Sequence, residues 1–423
     1  MYRKSVLKNG LRIVTHEIKD RDSVSLGVLV GVGGRHEDDS VKGAAHYLEH
    51  VVFKGTKKYS CDAIKETVEG VGGTLNAFTS EEQTCFYAKI PSKFLSRTFD
   101  VLADLVFAPL ITRKDVERER GVILEEIKMY HDLPQYYVME LLENLVWPQH
   151  PLGKSLAGTF ESVEAISQKQ IKQFYQSHYI PNNIVIAACG NIAHQDLVDL
   201  VRKKTEETPF GKKLEPLAAT HQQEHPRAVF CVKPIEQMHV ALGMEGVSIN
   251  HEMRYALGVL NVVMGGNMSS RLFNEVREKR GLAYSIGTAS KNFSDTGLFL
   301  MRAGVENTKV EKSLALVLSE FKKVRAAGIS KEEFTRAKEY CIGQLVLALE
   351  DTMEHMLWVG ESTLLRDHIR TTDEVIQSIK RVRLDDVQMV ARTVLDGRNY
   401  NLAIVGPLTD QQQAALRSMV GAE

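Results

Sequence analysis

The chain has 423 residues, and its 43% hydrophobic and 25% charged content is that of a globular protein with roughly two to four domains. A formal net charge of -1 gives no electrostatic reason to expect nucleic acid as a partner. Five cysteines without a C-x-x-C pair argue against both a disulfide framework and a cysteine-type zinc site.

The sequence contains no signal for a membrane span. Its most apolar stretch, residues 24–32, is far shorter than the roughly 18 residues that a spanning helix requires. The first residues run into a strand-like pattern without the apolar core of a signal peptide. We therefore expect no membrane association and a cytoplasmic location.

The N-terminal part of the chain alternates strand and helix signals. Residues 4–17 predict a β-hairpin, because Asn9-Gly10 is a turn signal between two alternating segments. Residues 24–30 are almost continuously apolar, which indicates a buried strand. A helix is predicted at 61–71, and a second pair of strands at 74–90.

A helix-compatible stretch between these segments carries the motif HYLEH at residues 46–50. Each residue of a helix turns the side chain by about 100°, so His46, Glu49 and His50 share one face. Two imidazoles one turn apart can bind one metal ion, and the carboxylate can take a proton from water at that ion. The motif predicts a zinc site with a general base, in the reverse order of H-E-x-x-H. The alternative is a surface helix with two solvated histidines, although apolar neighbours make stranded polar groups costly there.

A third ligand is predicted from the helix at 112–131. Its core face is defined by four apolar residues that fall within about 60° on a helical wheel, namely Val116, Ile123, Ile127 and Tyr130. Glu119 and Glu126 project close to that face, whereas Glu125 points away. Carboxylates near an apolar face need a positive partner, and a zinc ion supplies one. Glu126 and Glu119 are therefore predicted as the missing ligand and its outer partner; the alternative is that they only border the core.

The chain is predicted to contain two related domains. Residues 208–226 are polar and interrupted by proline, so we place a zinc-binding catalytic domain at 1–210, a linker at 211–226 and a second domain at 227–423. The second domain is a weak repeat of the first, because residues 398–408 resemble residues 181–192, which include the predicted strand at 184–192.

The repeat lacks the metal motif. Aligning residues 329–334 with 111–116 places Ala337 opposite Glu119 and Gln344 opposite Glu126, and no H-x-x-E-H occurs in the second half. Its most distinctive stretch is instead the run from Gly265-Gly266 to REKRGLAY. The glycine pair is compatible with a ligand loop or a plain turn. Arg277 and Tyr284, seven residues apart, are compatible with a site or with a salt-bridged arginine and a packed tyrosine.

These features together resemble the M16 metallopeptidases, the pitrilysin and mitochondrial processing peptidase group. The resemblance rests on HYLEH, on Glu119 and Glu126 in VERERGVILEEIKMYHDLP, on LNAFTSEEQT and on REKRGLAY. It covers essentially the whole chain and matches the half-length branch, which assembles from two two-domain subunits. It implies an α+β protein with two homologous domains, each a mostly antiparallel sheet packed with helices, in the processing-peptidase/LuxS-like metallohydrolase fold.

The resemblance also implies roles for individual residues. His46, His50 and Glu126 would bind one zinc ion per subunit, with Glu49 as general base and Glu119 as the outer support of the site. The strand that pairs with extended substrate by β-augmentation would contain Asn76, Ala77, Phe78 and Thr79. The remaining catalytic residues would be Arg277 and Tyr284, with the tyrosine hydroxyl donating to the oxyanion.

Because this chain carries both the zinc motif and the Arg-Tyr pair, the resemblance implies a homodimer with shared active sites. Each clamshell chamber would use zinc from one subunit and Arg277 with Tyr284 from the other, and would cleave short or unfolded peptides. One alternative is a noncatalytic assembly subunit, as in respiratory complexes, and metal analysis discriminates it. Another is the chemistry of the S-ribosylhomocysteine lyase, a far smaller enzyme with the same inverted motif.

Overall fold

The computed structural model of the protein describes residues 2–220, 223–366 and 368–421. The chain divides into two compact units. Unit 1 comprises Met1–Lys128, Ser155–Leu217 and Val346–Thr371. Unit 2 comprises Met129–Lys154, Ala218–Leu345 and Thr372–Glu423. The boundary between the units at Leu217 and Ala218 lies inside the predicted linker. Each unit also contains a segment from the other half of the sequence, which the predicted boundaries at 210 and 227 do not include.

The strands are β1 (Tyr2–Val6), β2 (Arg12–Glu17), β3 (Ser23–Val30), β4 (Thr74–Thr79), β5 (Thr84–Pro91), β6 (Ile184–Gly190), β7 (Arg227–Val232), β8 (Gln237–Glu245), β9 (Ala283–Asn292), β10 (Gly297–Glu306) and β11 (Asn401–Gly406). The helices of the N-terminal half are α1 (Ala44–Val52), α2 (Cys61–Glu69), α3 (Leu95–Phe107), α4 (Arg113–Asp132), α5 (Pro134–Val146), α6 (Phe160–Ala165), α7 (Gln168–His178) and α8 (His194–Thr205). Those of the C-terminal half are α9 (Arg254–Met264), α10 (Val310–Ala327), α11 (Lys331–Ala348), α12 (Thr352–Arg366), α13 (Thr372–Arg381), α14 (Leu384–Val394) and α15 (Asp410–Val420). The predicted hairpins at 4–17 and 74–90 are confirmed, and the predicted helix at 61–71 ends at Glu69.

The two sheets share one topology. The sheet of unit 1 has the order β1-β2-β6-β3-β5-β4, and that of unit 2 has the order β7-β11-β8-β10-β9. Neighbouring strands are antiparallel in both sheets, except for the parallel pairs β2–β6 and β7–β11. Strand for strand the two orders match, with β1 as an addition to the first. The predicted α+β class with two homologous, mostly antiparallel sheets is confirmed.

The central strands of unit 1 are buried on both faces, which explains their continuous apolar sequences. One face packs against α1, α3 and α8, and the other packs against α12. Helix α12 approaches the sheet closely at Gly360, where an added Cβ would lie 2.7 Å from Leu29 Cδ1. In unit 2, the equivalent sheet packs against α5 from the first half of the sequence. Each half of the chain therefore supplies one helix that covers the sheet of the other half.

Two histidines of unit 1 make its stability sensitive to acid. The rings of His16 on β2 and His355 on α12 stack with their centroids 4.3 Å apart, and Tyr2 shares a 2.8 Å hydrogen bond with His355 Nε2. Burial and the neighbouring His355 lower the pKa of His16 from 6.5 to about 4. The unfolded chain therefore binds a proton at His16 in a pH range where the folded chain does not.

We expect the free energy of unfolding of the metal-free protein to fall as the pH is lowered from about 6.5 toward 4, because protons favour the unfolded state in this window. The variant His16→Phe keeps an aromatic ring against His355 and removes the titrating group, so it should lose less stability on acidification. Urea unfolding at pH 7 and pH 5 in the presence of chelator measures both losses. Equal losses in the variant and the wild type would contradict the assignment.

Within the described ranges, no helix combines the length and the apolar character that crossing a membrane would need.

Candidate metal centre

The start of helix α1 is fixed by a buried carboxylate. Glu37 accepts hydrogen bonds from the backbone N–H groups of Gly43, at 3.0 Å, and Ala45, at 2.7 Å, and lies 3.1 Å from Lys42 Nζ. These N–H groups have no partner inside the helix, and a negative charge near a helix N-terminus is stabilising. Gly43 has a positive φ of 93°, and an added Cβ there would lie 2.8 Å from the carbonyl oxygen of Ala157. The glycine and the Glu37 carboxylate therefore set where α1 begins.

Helix α1 is anchored to α4 through the second residue of the motif. Tyr47 is fully buried, and its hydroxyl donates to the carbonyl oxygen of Val116 at 2.5 Å. Leu48 and Val51 also lie in the core of unit 1. On α4, the predicted core residues Val116, Ile123 and Ile127 are buried, whereas Tyr130 is only half-buried. The apolar faces of α1 and α4 both pack into the core of unit 1. The polar residues beside these faces therefore lie opposite one another.

The structure brings His46, His50 and Glu126 together. Their candidate ligand atoms lie within 4.8 Å of one another. Glu126 Oε2 is 3.6 Å from His46 Nε2 and 3.4 Å from His50 Nε2, and the two imidazole centroids are 4.7 Å apart. Glu125 instead points outward with 72% of its side chain exposed, and pairs with Lys128. The helical-wheel distinction between the two neighbouring glutamates is therefore correct.

This donor set fits a zinc ion. A tetrahedral ion with ligands at about 2.0–2.2 Å separates its donor atoms by roughly 3.3–3.6 Å, which is the spacing between Glu126 and each imidazole. Burial and the neighbouring His50 lower the pKa of His46 to about 4, which favours the neutral ring that a metal ligand must have. Around His50, burial lowers the pKa but the carboxylates outweigh it and raise the pKa, so this position favours positive charge. Two histidines and one carboxylate also leave a fourth position for water.

Glu119 supports the metal ligands from behind. Its side chain is 2% exposed, and its Oε2 lies 3.4 Å from His50 Nδ1, the ring nitrogen opposite the one that faces Glu126. Carboxylates in this position fix the orientation of a ligating imidazole. Glu119 Oε1 also pairs with Lys54 Nζ at 2.9 Å. Lys54 is not predicted from the sequence and lies two residues beyond the end of α1.

Glu49 lies beside the cluster and is held by the neighbouring strand. Thr79 Oγ1, at the end of β4, donates to Glu49 Oε2 at 2.5 Å. Burial raises the pKa of Glu49, and the hydrogen bond from Thr79 opposes this rise. A carboxylate with a raised pKa next to a metal position is suited to accept and return a proton.

The predicted substrate strand is the edge of the sheet in unit 1. Strand β4 pairs with β5 on one side only. The hydrogen bond from Ser80 N to Gln83 O sets the alternation of the pair, so the backbone groups of Leu75, Ala77 and Thr79 point away from β5. The N–H of Ala77 donates to Asn76 Oδ1 at 2.8 Å. The outward backbone groups of β4 therefore form an edge on which another strand can pair.

The side chain of Phe78 packs away from the metal cluster. Its ring lies near Tyr87, with centroids 6.1 Å apart, and belongs to the hydrophobic cluster beneath α12.

The predicted Arg-Tyr pair lies in unit 2. The Arg277 guanidinium lies 4.7 Å from the centroid of Phe273 and 6.0 Å from that of Tyr284. Tyr284 is 75% exposed, so it is not the packed tyrosine of the alternative interpretation.

Unit 2 repeats the fold without the donor set. Ala337 is 2% exposed, so the position that corresponds to the buried Glu119 is filled by a small apolar side chain. Among the residues that the structure describes, His46, His50 and Glu126 are the one group of three His, Cys, Asp or Glu side chains close enough to hold a metal ion. The candidate metal centre therefore belongs to unit 1.

Comparison with known proteins agrees with this geometry. Residues 12–160 match the family described as insulinase (peptidase family M16), and residues 165–341 match the peptidase M16 inactive domain. An uncharacterized zinc protease from Streptomyces coelicolor is 41% identical over 99% of this chain and 92% of its own length. The uncharacterized zinc protease YmxG from Bacillus subtilis is 35% identical over 96% of this chain and 98% of its own.

Solved structures share the fold. A protease from Helicobacter pylori superposes with a TM-score of 0.90 at 23% identity, over 96% of this chain and 99% of that one. Complex III2 from Candida albicans contains a chain with a TM-score of 0.85 at 20% identity, over 99% of both chains. At these identities the structures show the fold alone, whereas the sequence matches show the family. The chain belongs to peptidase family M16 and is a zinc metallopeptidase of that family.

Proposed function

We propose that the protein is a zinc endopeptidase that cleaves short or unfolded peptides inside a clamshell chamber formed by two identical subunits, with one zinc ion per subunit. The observation that carries the proposal is the donor set of His46, His50 and Glu126, with Glu49 beside it. The spacing of these atoms suits a tetrahedral ion with an open position, which is the arrangement of catalytic zinc.

Each residue of the cluster has a distinct role in peptide hydrolysis. His46, His50 and Glu126 would hold the zinc ion, which would act as a Lewis acid and lower the pKa of a bound water molecule. Glu49 takes a proton from the attacking water as its oxygen adds to the carbonyl carbon of the peptide. Glu49 then returns that proton to the nitrogen as the C–N bond breaks, which gives a carboxylic acid and an amine. The second proton of the water then passes from the acid to the amine, so the products at neutral pH are a carboxylate and an ammonium group. Glu119 and Lys54 keep the His50 ring in place throughout.

The edge of β4 supports a preference for extended chains. A peptide that pairs with the outward backbone groups of Leu75, Ala77 and Thr79 gains main-chain hydrogen bonds without a demand on its side chains. Most strands of a folded domain are paired on both sides, and its edge strands are commonly short, charged or covered, so a folded domain offers few extended segments for such pairing. On pairing, the side chain of Asn76 gives up the N–H of Ala77 to the substrate. Short or unfolded peptides are therefore the substrates that this edge accepts.

The exposed Arg-Tyr pair supports a shared site. Tyr284 of unit 2 is mostly exposed, and the neighbouring Arg277 adds a positive charge. A hydroxyl and a guanidinium in this form are suited to stabilise the oxyanion that develops during peptide hydrolysis. In the proposed dimer, these two residues of one subunit complete the zinc site of the other.

Mixing two inactive variants tests the shared site. In the proposed shared site, Glu49→Gln damages the part that contains the zinc ligands, and Tyr284→Phe damages the part that the other subunit contributes. The peptidase activity of each variant alone should therefore be close to background. In a mixture that exchanges subunits, half of the dimers are heterodimers with one intact site, so activity should return to about a quarter of the wild-type value. The measurement is hydrolysis of an internally quenched, unstructured peptide.

The matched control is a mixture of Glu49→Gln with Glu126→Gln, because both changes damage the zinc half and no heterodimer has an intact site. This mixture should stay inactive. If the first mixture gains nothing, or if both mixtures gain equally, the two-subunit site is wrong.

A further inference from the structure

We propose that Thr79 is a positioning residue, which links the pairing of substrate with strand β4 to the placement of the general base. This inference rests on the proposed function. Thr79 connects the substrate edge to the general base. Its backbone belongs to the outward edge of β4, and its hydroxyl contacts Glu49.

The contact to Glu49 is specific. The hydroxyl of Thr79 donates to Oε2 at 2.5 Å, and it is the one hydrogen-bond donor to this carboxylate among the described residues. Thr79 is the last residue of β4 and lies opposite Thr84 of β5, so the sheet holds its backbone on one side. The hydrogen bond therefore ties one oxygen of the base to the sheet and leaves Oε1 as the oxygen that takes the proton.

The terminal torsion of a glutamate side chain has no sharp preferred angle, so a carboxylate without such a bond samples a broad range of orientations. Proton transfer needs an approach within hydrogen-bond distance, and a displacement of about 1 Å can cost on the order of 10²-fold in rate. A donor that holds Oε2 therefore raises the fraction of time in which Oε1 is correctly oriented. It contributes to turnover more than to substrate affinity.

Substrate pairing strengthens this constraint. The backbone groups of Thr79 point away from β5 and, with those of Ala77, are available to an added strand. A paired peptide reduces the backbone motion that an edge strand retains. Because the Thr79 hydroxyl is hydrogen-bonded to Glu49, the motion of the Glu49 carboxylate is reduced as well. The base is thus best placed when an extended peptide occupies the edge.

The test compares Thr79→Val with Thr79→Ser in the full-length, zinc-loaded protein. Valine keeps the shape and the β-branch but has no hydroxyl, whereas serine keeps the hydroxyl. For an internally quenched, unstructured peptide, Thr79→Val should lower kcat roughly 10- to 100-fold, with KM within about twofold of wild type. The kcat of Thr79→Ser should lie within about threefold of the wild-type value, and the zinc content of both variants should equal that of the wild type. Thr74→Val, at the other end of the same strand, is the matched control and should resemble the wild type.

A wild-type kcat in Thr79→Val overturns the inference, and so does a raised KM at unchanged kcat, which would make Thr79 a substrate contact only. Failure of serine to improve on valine, or loss of zinc in either variant, also overturns it, because the effect would then be structural. In all of these cases the wild type still cleaves the peptide. If the zinc-loaded wild type cleaves no unstructured peptide, the proposed function itself fails, and this inference fails with it.

Discussion

Replacing Glu49 with glutamine is expected to reduce kcat by roughly 10²- to 10⁴-fold, the range that general acid–base catalysis contributes. The amide has nearly the same shape and its oxygen can still accept the hydrogen bond from Thr79. It cannot take a proton from water at neutral pH. The zinc ligands are untouched, so zinc content and thermal unfolding should match the wild type. Peptide turnover and metal analysis on the same preparation measure both quantities.

The control for this change is Glu125→Gln, because Glu125 is a glutamate on α4 whose side chain is 72% exposed and pairs only weakly with solvent-exposed Lys128. Its turnover should equal that of the wild type. Turnover near the wild-type level in Glu49→Gln would remove Glu49 as the base. Loss of zinc in that variant would show that Glu49 acts on the metal site rather than on the proton.

Replacing Glu126 with glutamine is expected to abolish zinc binding at micromolar metal, and turnover with it. The change removes the one anionic donor among the three ligands and puts a neutral amide in its place. The neighbouring Glu119→Gln should have a smaller effect, because carboxylates behind a ligating imidazole typically contribute 10- to 100-fold in metal affinity. Competition titration against a chelator of known zinc affinity ranks the two variants.

The order of zinc affinities among the variants of Glu119, Glu125 and Glu126 is the informative result. Zinc affinity should decrease from Glu125→Gln, which matches the wild type, through Glu119→Gln to Glu126→Gln. The order follows from the distances, since Glu126 lies against both imidazoles whereas Glu119 reaches only His50 Nδ1. Equal affinity for Glu119→Gln and Glu126→Gln would mean that the ligand and its support are wrongly distinguished.

The metal cluster could be predicted from the sequence because it lies on two helices. Helical geometry fixes the angle between side chains, so His46 and His50 must share a face, and so must Glu119 and Glu126. The burial of a carboxylate then requires a positive partner, which links the two faces without any knowledge of the fold. The same geometry correctly separated Glu126 from Glu125.

The contacts that the sequence missed lie between segments whose mutual placement no local pattern determines. The hydrogen bond from Thr79 to Glu49 joins a strand end to a helix, and it depends on how the edge of the sheet lies over α1. Thr79 was predicted only as part of the substrate strand. Likewise, no element is predicted from the sequence at residues 352–366, and an apolar helix face alone does not say which sheet it covers, so the place of α12 on the sheet of unit 1 could not be predicted.

The central claim is that the zinc site of this chain hydrolyses peptide bonds within extended peptides. Zinc-loaded wild-type protein is incubated with a mixed pool of unstructured peptides, with and without chelator, next to Glu49→Gln, and the products are read by mass spectrometry. We expect internal cleavage products that disappear with chelator, return when zinc is added back, and are nearly absent with Glu49→Gln. Absence of cleavage by the wild type, or cleavage that persists at the untreated wild-type level in the chelated protein or in Glu49→Gln, would contradict this claim.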